Sequence, residues 1–251
     1  MPSYRTEAIV LRTHKLGEAD RIITFLTRDR GKVRAVAKGV RRTKSKFGAR
    51  LEPFSRVDVL LHDGKNLDIV AQAELLTAYG SEMTLDYGLW TIGQTMLETA
   101  DRLTPEVHVP AESQYLLLVG ALRTLVAREH VATAVMDSYL LRALSLAGYS
   151  PNFDDCVVCA EPGPFFHISS GGAMCATHRA PGSVAPKAET IALMKALIAG
   201  EWDAVDAAEI NISREVSGIV AAYVQWHLER GLRSLEHIDR TTSHVTGLQH
   251  G

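Results

Sequence analysis

Two short pairs of soft metal ligands stand in the second half of the chain. Cys156-Val157-Val158-Cys159 is followed by a 15-residue insert and then by Cys175-Ala176-Thr177-His178. Three thiolates and one imidazole in a C-x2-C-x15-C-x2-H pattern suit a tetrahedral zinc ion, each pair supplying two corners. All three cysteines of the chain belong to this unit. An odd number fits a metal centre better than a disulfide scaffold. Four protein ligands leave no corner for a reactive water, so the expected Zn2+ is structural, one per chain. His167 competes for the fourth corner. The spacing from Cys175 to His178 mirrors the first pair and favours His178, while Phe165-Phe166-His167-Ile168 reads as a part-buried segment. Gly163-Pro164 and Gly171-Gly172 supply turns for a small ribbon. Asp154 and Asp155 read as caps or flanks of that ribbon, not as ligands. A redox role for Cys156 and Cys159 would need a strand–helix setting that their neighbours do not offer.

A second chemistry lies in the charge, which is sorted along the chain. Residues 1–56 hold 15 Lys and Arg against 5 Asp and Glu, while the whole chain has a net charge of −2. Ten of those basic residues fall between Arg28 and Arg50. Surface charge ordinarily mixes both signs, so a one-sign cluster predicts a polyanionic partner, nucleic acid above all. Its centre is Gly39-Val40-Arg41-Arg42-Thr43-Lys44-Ser45-Lys46-Phe47-Gly48-Ala49-Arg50, which has no acid. Lys32, Arg34, Lys38, Arg41, Arg42, Lys44, Lys46 and Arg50 are the expected phosphate contacts. Their counterions would be released on binding, so affinity should fall steeply with salt. Phe47 has two readings, stacking on a base or packing onto the domain that carries the loop. Nothing resembles a helix that reads base sequence.

Enzyme signatures are missing. There is no phosphate-binding glycine loop, no Gly-x-Gly-x-x-Gly and no Gly-x-Ser-x-Gly elbow. Glu18 and Asp20 raise the alternative of a metal-dependent nuclease, but two acids are too few for a two-metal site. An RNA-binding zinc protein is a further alternative, which the basic loop alone does not separate from a DNA-binding one. The expectation is a non-enzyme. The first residues carry no apolar signal run, and no apolar stretch approaches the roughly 20 residues that span a bilayer. That predicts a cytoplasmic protein with no membrane contact, and the nucleic-acid reading makes it nucleoid-associated.

The elements that must position these groups follow from periodicity. Residues 7–12, 21–27, 32–38, 53–62 and 67–76 read as strands, with Asp63-Gly64-Lys65-Asn66 a hairpin turn. In 32–38, Val33, Ala35 and Ala37 face one way and Lys32, Arg34 and Lys38 the other. Five strands without intervening helices predict a closed five-stranded OB-fold barrel. From Ser81 the apolar spacing becomes 3–4, predicting helices over 82–102, 112–129, 132–147, 187–199 and 213–230, the last with Ser213 as N-cap and Gly231 as C-cap. The expected class is α+β multidomain: an OB-fold DNA-binding domain over 1–80, a helical domain over 81–150 and 186–240, an inserted zinc-ribbon-like module over 151–185, and a flexible tail over 241–251.

The residue strings then resemble a known family. Glu7-Ala8-Ile9-Val10-Leu11-Arg12, Gly17-Glu18-Ala19-Asp20-Arg21-Ile22, Leu26-Thr27, Gly31-Lys32, Ala37-Lys38-Gly39-Val40-Arg41-Arg42 and Leu51-Glu52-Pro53-Phe54 are similar to the bacterial recombination mediator family RecO. The resemblance covers nearly the whole chain and implies an N-terminal OB-fold, a helical C-terminal domain and an inserted zinc module. It also implies a DNA repair and recombination role in the response to DNA damage. RecO-like proteins bind single- and double-stranded DNA, anneal complementary strands, and with RecR help load RecA onto DNA coated by SSB, whose acidic C-terminal tail docks on the helical domain. The family's zinc modules typically carry four cysteines; here His178 takes the fourth place.

Overall fold

The structure, a computed structural model, describes residues 2–228. The chain divides into two compact units, Met1–Val126 and Ala127–Gly251. In the first, β1 (Ser3–Leu16), β2 (Asp20–Thr27), β3 (Gly31–Ala37), β4 (Ser55–His62) and β5 (Asp68–Ala78) close into a barrel in the order β1-β2-β3-β5-β4. Neighbours are antiparallel except β3 and β5, which close the barrel in parallel through Ala35↔Asp68 and Val36↔Ile69. This is the expected OB-fold-like barrel followed by helices.

Alternation along the strands fills its interior. Ala8 and Val10, Ile23 and Phe25, Val33 and Ala35, Val57 and Val59, and Leu61 and Val70 form one buried cluster. A bulge between Val10 and Arg12 shifts the β1 register, so that Val10 faces Phe25 but Arg12 faces Thr24. Without the extra residue Arg12 would point inward, because side-chain direction has period 2. The β2–β3 turn requires Gly31. Its φ is +64°, and an added Cβ would lie 1.8 Å from the Val109 carbonyl oxygen.

The basic loop between β3 and β4 is not free. Val40, Phe47 and Leu51 belong to the barrel core, with Phe47 only 2% exposed. Leu51 ends a single 3-10 turn, Gly48–Leu51. These three anchors leave the polar residues between them facing solvent.

The stretch expected as one helix over 82–102 is two, α1 (Tyr79–Met83) and α2 (Tyr87–Leu103). Asp86 makes the break. Its carboxylate accepts from the Gly88 and Leu89 N–H groups at 3.0 and 3.2 Å, a cap that competes with helix continuation. Phe54 of the loop meets Trp90 of α2 edge-on, with centroids 4.9 Å apart. Next comes α3 (Glu112–Ala127).

The second unit packs α4 (Ala132–Leu146), α5 (Ala188–Ala199) and α7 (Ile210–His227) through Tyr139, Leu140, Met194, Leu197, Val220 and Val224, all buried. A short α6 (Trp202–Asp206), not foreseen, follows the left-handed Gly200. The last helix starts at Ile210, a turn earlier than expected. Ser213 is inside it, its hydroxyl donating to the Glu209 carbonyl. Between α4 and α5, β6 (Phe165–His167) and β7 (Gly172–Met174) form a small hairpin. Gly231, the end of the helical domain near 240 and the tail over 241–251 lie outside the described residues. Among those described, no helix is long and apolar enough to cross a membrane.

Phe47→Ala should empty one end of the barrel and cost about 3 kcal/mol or more, with Phe47→Leu costing less than half of that. Urea unfolding of the two variants checks this; equal midpoints for Phe47→Ala and the parent would show that the ring does not support the barrel.

Candidate nucleic-acid interface and metal centre

Fifteen basic side chains in residues 1–56 are not equivalent in space. Six are ion-paired: Arg5 with Asp58 and Glu74, Arg12 and Lys32 with Asp101, Arg21 with Glu52, Arg28 with Glu112, and Arg56 with Glu7. The Glu7–Arg56 pair, 2.6 Å apart, also takes a hydrogen bond from the Tyr115 hydroxyl at 3.0 Å. Arg56 first, and then Tyr115, hold the Glu7 carboxyl below its usual range against the opposing effect of burial. That contribution to stability is present above the ordinary carboxylate pKa and is lost as pH falls through the lowered one.

Of the eight expected phosphate contacts, Lys32 is a correction. It is buried, its Nζ lies 2.7 Å from Asp101 Oδ1, and it donates to the Asp101 carbonyl at 2.6 Å. The connector after α2 lies over it, with His108 N–H bonded to the Lys32 carbonyl at 2.9 Å. Alternation placed Lys32 correctly on the outer face of β3. What that face is covered by is a tertiary matter that alternation does not report.

The other seven, Arg34, Lys38, Arg41, Arg42, Lys44, Lys46 and Arg50, are all exposed, and none forms an ion pair with a carboxylate among the described residues. Arg34 stands on the outer face of β3, opposite Thr24, with the rest following on the loop. The loop is pinned to the β1–β2 turn. Asp20 accepts from the Gly39 N–H at 2.7 Å, Arg41 N–H bonds the Ala19 carbonyl at 2.9 Å, and the Arg41 guanidinium donates to the Gly17 carbonyl at 3.3 Å. Lys46 Nζ donates to the Ala71 carbonyl at 2.8 Å and sits 4.9 Å over the Phe47 ring. Phe47 is therefore a core residue, and stacking on a base is excluded by its burial. Asp20, one of the two acids of the nuclease alternative, is committed to Gly39, and Glu18 is exposed.

The four metal-ligand candidates converge. One ligand atom from each of Cys156, Cys159, Cys175 and His178 lies within 4.8 Å of every other. Cys159 Sγ and Cys175 Sγ are 3.7 Å apart, and His178 Nδ1 is 3.3 Å from Cys175 Sγ and 3.8 Å from Cys156 Sγ. Bonds of about 2.3 Å to sulfur at tetrahedral angles put two sulfurs about 3.8 Å apart, so the residues fit one ion. His167 is elsewhere, its Nδ1 2.7 Å from Ser170 Oγ. Asp154 pairs with Lys195.

Backbone geometry prepares the ligands. Cys156 N–H bonds the Glu161 carbonyl and Ala160 N–H the Cys156 carbonyl, each at 2.8 Å, folding Cys156–Ala160 into a tight knuckle with Ala160 at φ +61°. Such knuckles aim N–H groups at sulfur. The Cys175 backbone first, then those of Val158 and Cys159, push the Cys156 thiol down to about 6. The His178 backbone lowers Cys175, and Cys175 in turn raises His178. A preformed thiolate is the state a metal ion binds. Gly163 is needed where the two ligand loops meet, since an added Cβ would lie 2.2 Å from the Met174 carbonyl oxygen.

Two family models match the chain: one described as "Recombination protein O N terminal" over residues 1–79, and one described as "Recombination protein O C terminal" over residues 84–236. Curated relatives, each named DNA repair protein RecO, are similar over nearly their full length. One from Nocardioides sp. is 56% identical over 242 residues, 94% of this chain and 99% of its own. One from Streptomyces coelicolor is 54% identical over 248 residues, 96% of this chain and 100% of its own. One from Thermobifida fusca is 52% identical over 242 residues, 96% and 100% of the two chains.

Gly163→Ala should force the two ligand loops apart. The expected result is weakened metal retention and faster proteolysis within residues 151–185, with the barrel's unfolding midpoint unchanged; full metal retention would show that the close approach is not required.

Proposed function

Because the chain belongs to the recombination protein O (RecO) family, we propose that it is a DNA repair mediator that holds nucleic-acid strands on its barrel and performs no bond chemistry. The observation that carries this reading is the set of seven exposed cations without carboxylate partners, gathered on β3 and a loop anchored in the barrel core. Phosphates bound there displace counterions from the strand, which is the driving force for sequence-independent binding. Two single strands repel one another. A cationic surface that neutralises part of each lowers that repulsion while bases pair, so strand annealing is the activity proposed. Family membership supports the rest: binding of single- and double-stranded DNA, cooperation with RecR in loading RecA onto SSB-coated DNA, docking of the SSB C-terminal tail on the helical domain, and work in the cytoplasm at the nucleoid.

The proposed ion at Cys156, Cys159, Cys175 and His178 is zinc, bound as structure. When bound, it supplies cross-linking energy that folds a module too small to have a core of its own. The chain's part is to lower two of the thiols, Cys156 to about 6 and Cys175 below its usual value, both chiefly through backbone N–H groups, while burial and the neighbouring Cys175 and Cys156 raise Cys159.

Reversing Arg34, Lys38, Arg42 and Lys44 to Glu removes charges whose side chains make no hydrogen bond to the fold, so folding should survive. Single-strand affinity should fall, and the slope of log affinity against log salt should flatten by about 3, at about 0.7 per phosphate contact. An unchanged slope overturns the interface. Incubation of labelled DNA with magnesium or manganese should give annealing without shortening; shortening would favour a nuclease. Preferential binding to RNA in competition would favour an RNA-binding protein.

Metal analysis should find about one zinc per chain. His178→Ala should lose it and His167→Ala keep it; the opposite pattern would reassign the fourth ligand.

A further inference from the structure

The second unit carries an open groove of about 960 Å³, to whose residues the mediator reading gives no role. Tyr149 forms one wall just after α4. His167 and Ser169 form another on the β6–β7 turn. Gln225, Trp226 and His227 of α7 line the third. Its rings are available: Trp226 is 58% exposed and Tyr149 44%. His227 fixes the rest, its ring 5.0 Å from Tyr149 and 4.3 Å from Tyr223, whose hydroxyl donates to the Tyr149 carbonyl. His167 is held by Ser170 at 2.7 Å. None of the groove's lining residues is a carboxylate.

Exposed aromatic rings cost solvation, and rings held by packed neighbours are platforms for another planar group. The polar groups beside them, an amide, a hydroxyl and two imidazoles, match the edges of nucleobases. Charge agrees. Residues 127–251 hold 14 acids against 9 bases, yet the stretch 162–188, which builds the His167 wall of the groove, has no acid and includes Arg179 and Lys187. Arg179 is exposed and lies 4.4 Å over the Phe165 ring. A neutral aromatic peptide would find the same rings but would gain nothing from this local loss of acids. A phosphate-linked strand would.

We propose that this groove binds unpaired bases of single-stranded nucleic acid, stacking them on Trp226 and Tyr149, as a second site separate from the cationic loop. The choice of ligand rests on the nucleic-acid reading of the chain. The site itself discriminates by strandedness, because stacking on protein rings needs bases whose faces are not already covered in a duplex.

The test measures binding of the full chain to fluorescent oligo(dT) and to a duplex of equal length across salt. The Tyr149→Ala/Trp226→Ala variant should lose about tenfold or more in single-strand affinity, keep duplex affinity within about twofold, and keep the salt slope. The Tyr149→Phe/Trp226→Phe variant, which retains flat rings, should recover most of the loss and shows that the fold is intact. Unchanged single-strand affinity in the alanine variant overturns the proposal. So does an equal loss on both DNAs, or failure of the phenylalanine variant to recover. Quenching of Trp226 by an aromatic peptide but not by oligo(dT) also overturns it, assigning the groove to a protein. The loop charge-reversal variant separates the two readings. If it binds normally while the alanine variant fails, the cationic interface falls and the groove stands; the reverse leaves the interface and removes the groove.

Discussion

Burial of the Phe47 ring in the barrel is the contact on which the cationic surface depends. Five like charges in the twelve residues from Gly39 to Arg50 repel one another. Left to itself such a segment would spread into a solvated coil, since it has little to bury against the entropy of ordering. Val40, Phe47 and Leu51 change that balance by joining the barrel core at both ends and the middle of the loop. Hydrogen bonds from Gly39 and Arg41 then tie its start to the β1–β2 turn. The result is a set of cations whose spacing is fixed before any strand arrives, so less ordering entropy is lost on binding.

Much of this was legible in the sequence, for identifiable reasons. Strand alternation revealed the barrel because Val33, Ala35 and Ala37 have to face a core, and few residues in these strands break the pattern. The metal cluster was legible because ligand spacing is a local property. His178 sits three residues from Cys175 whatever the rest of the chain does, and the structure brings its Nδ1 to 3.3 Å from that sulfur. The failures have two causes, one tertiary and one local. Lys32 has the same alternation as Arg34, and only the arrival of Asp101, 69 residues later, buries it. The break at Asp86 was a local competition between two helical outcomes, and the carboxylate cap won. The groove beside α7 assembles residues from Tyr149 to His227 and has no sequence signature.

The pairing of other cations sets the seven unpaired ones apart. Six basic residues of the barrel strands and turns are matched by carboxylates, several from beyond residue 57. Each pair contributes little stability by itself at an exposed position. Together they remove positive potential from the rest of the barrel surface. On the proposed reading, a strand approaching this protein would meet its densest attraction at β3 and the loop. The unmatched cations raise the folded state's self-repulsion, a cost that counterions lower and a phosphate backbone lowers further. On the proposed reading, an interface built this way would grip any sequence and release it as ionic conditions or competing strands demand. That is the behaviour a mediator needs, because a strand held too tightly could not be handed on. Stacking in the second unit would add what charge cannot supply, a preference for bases that have not yet found their complement.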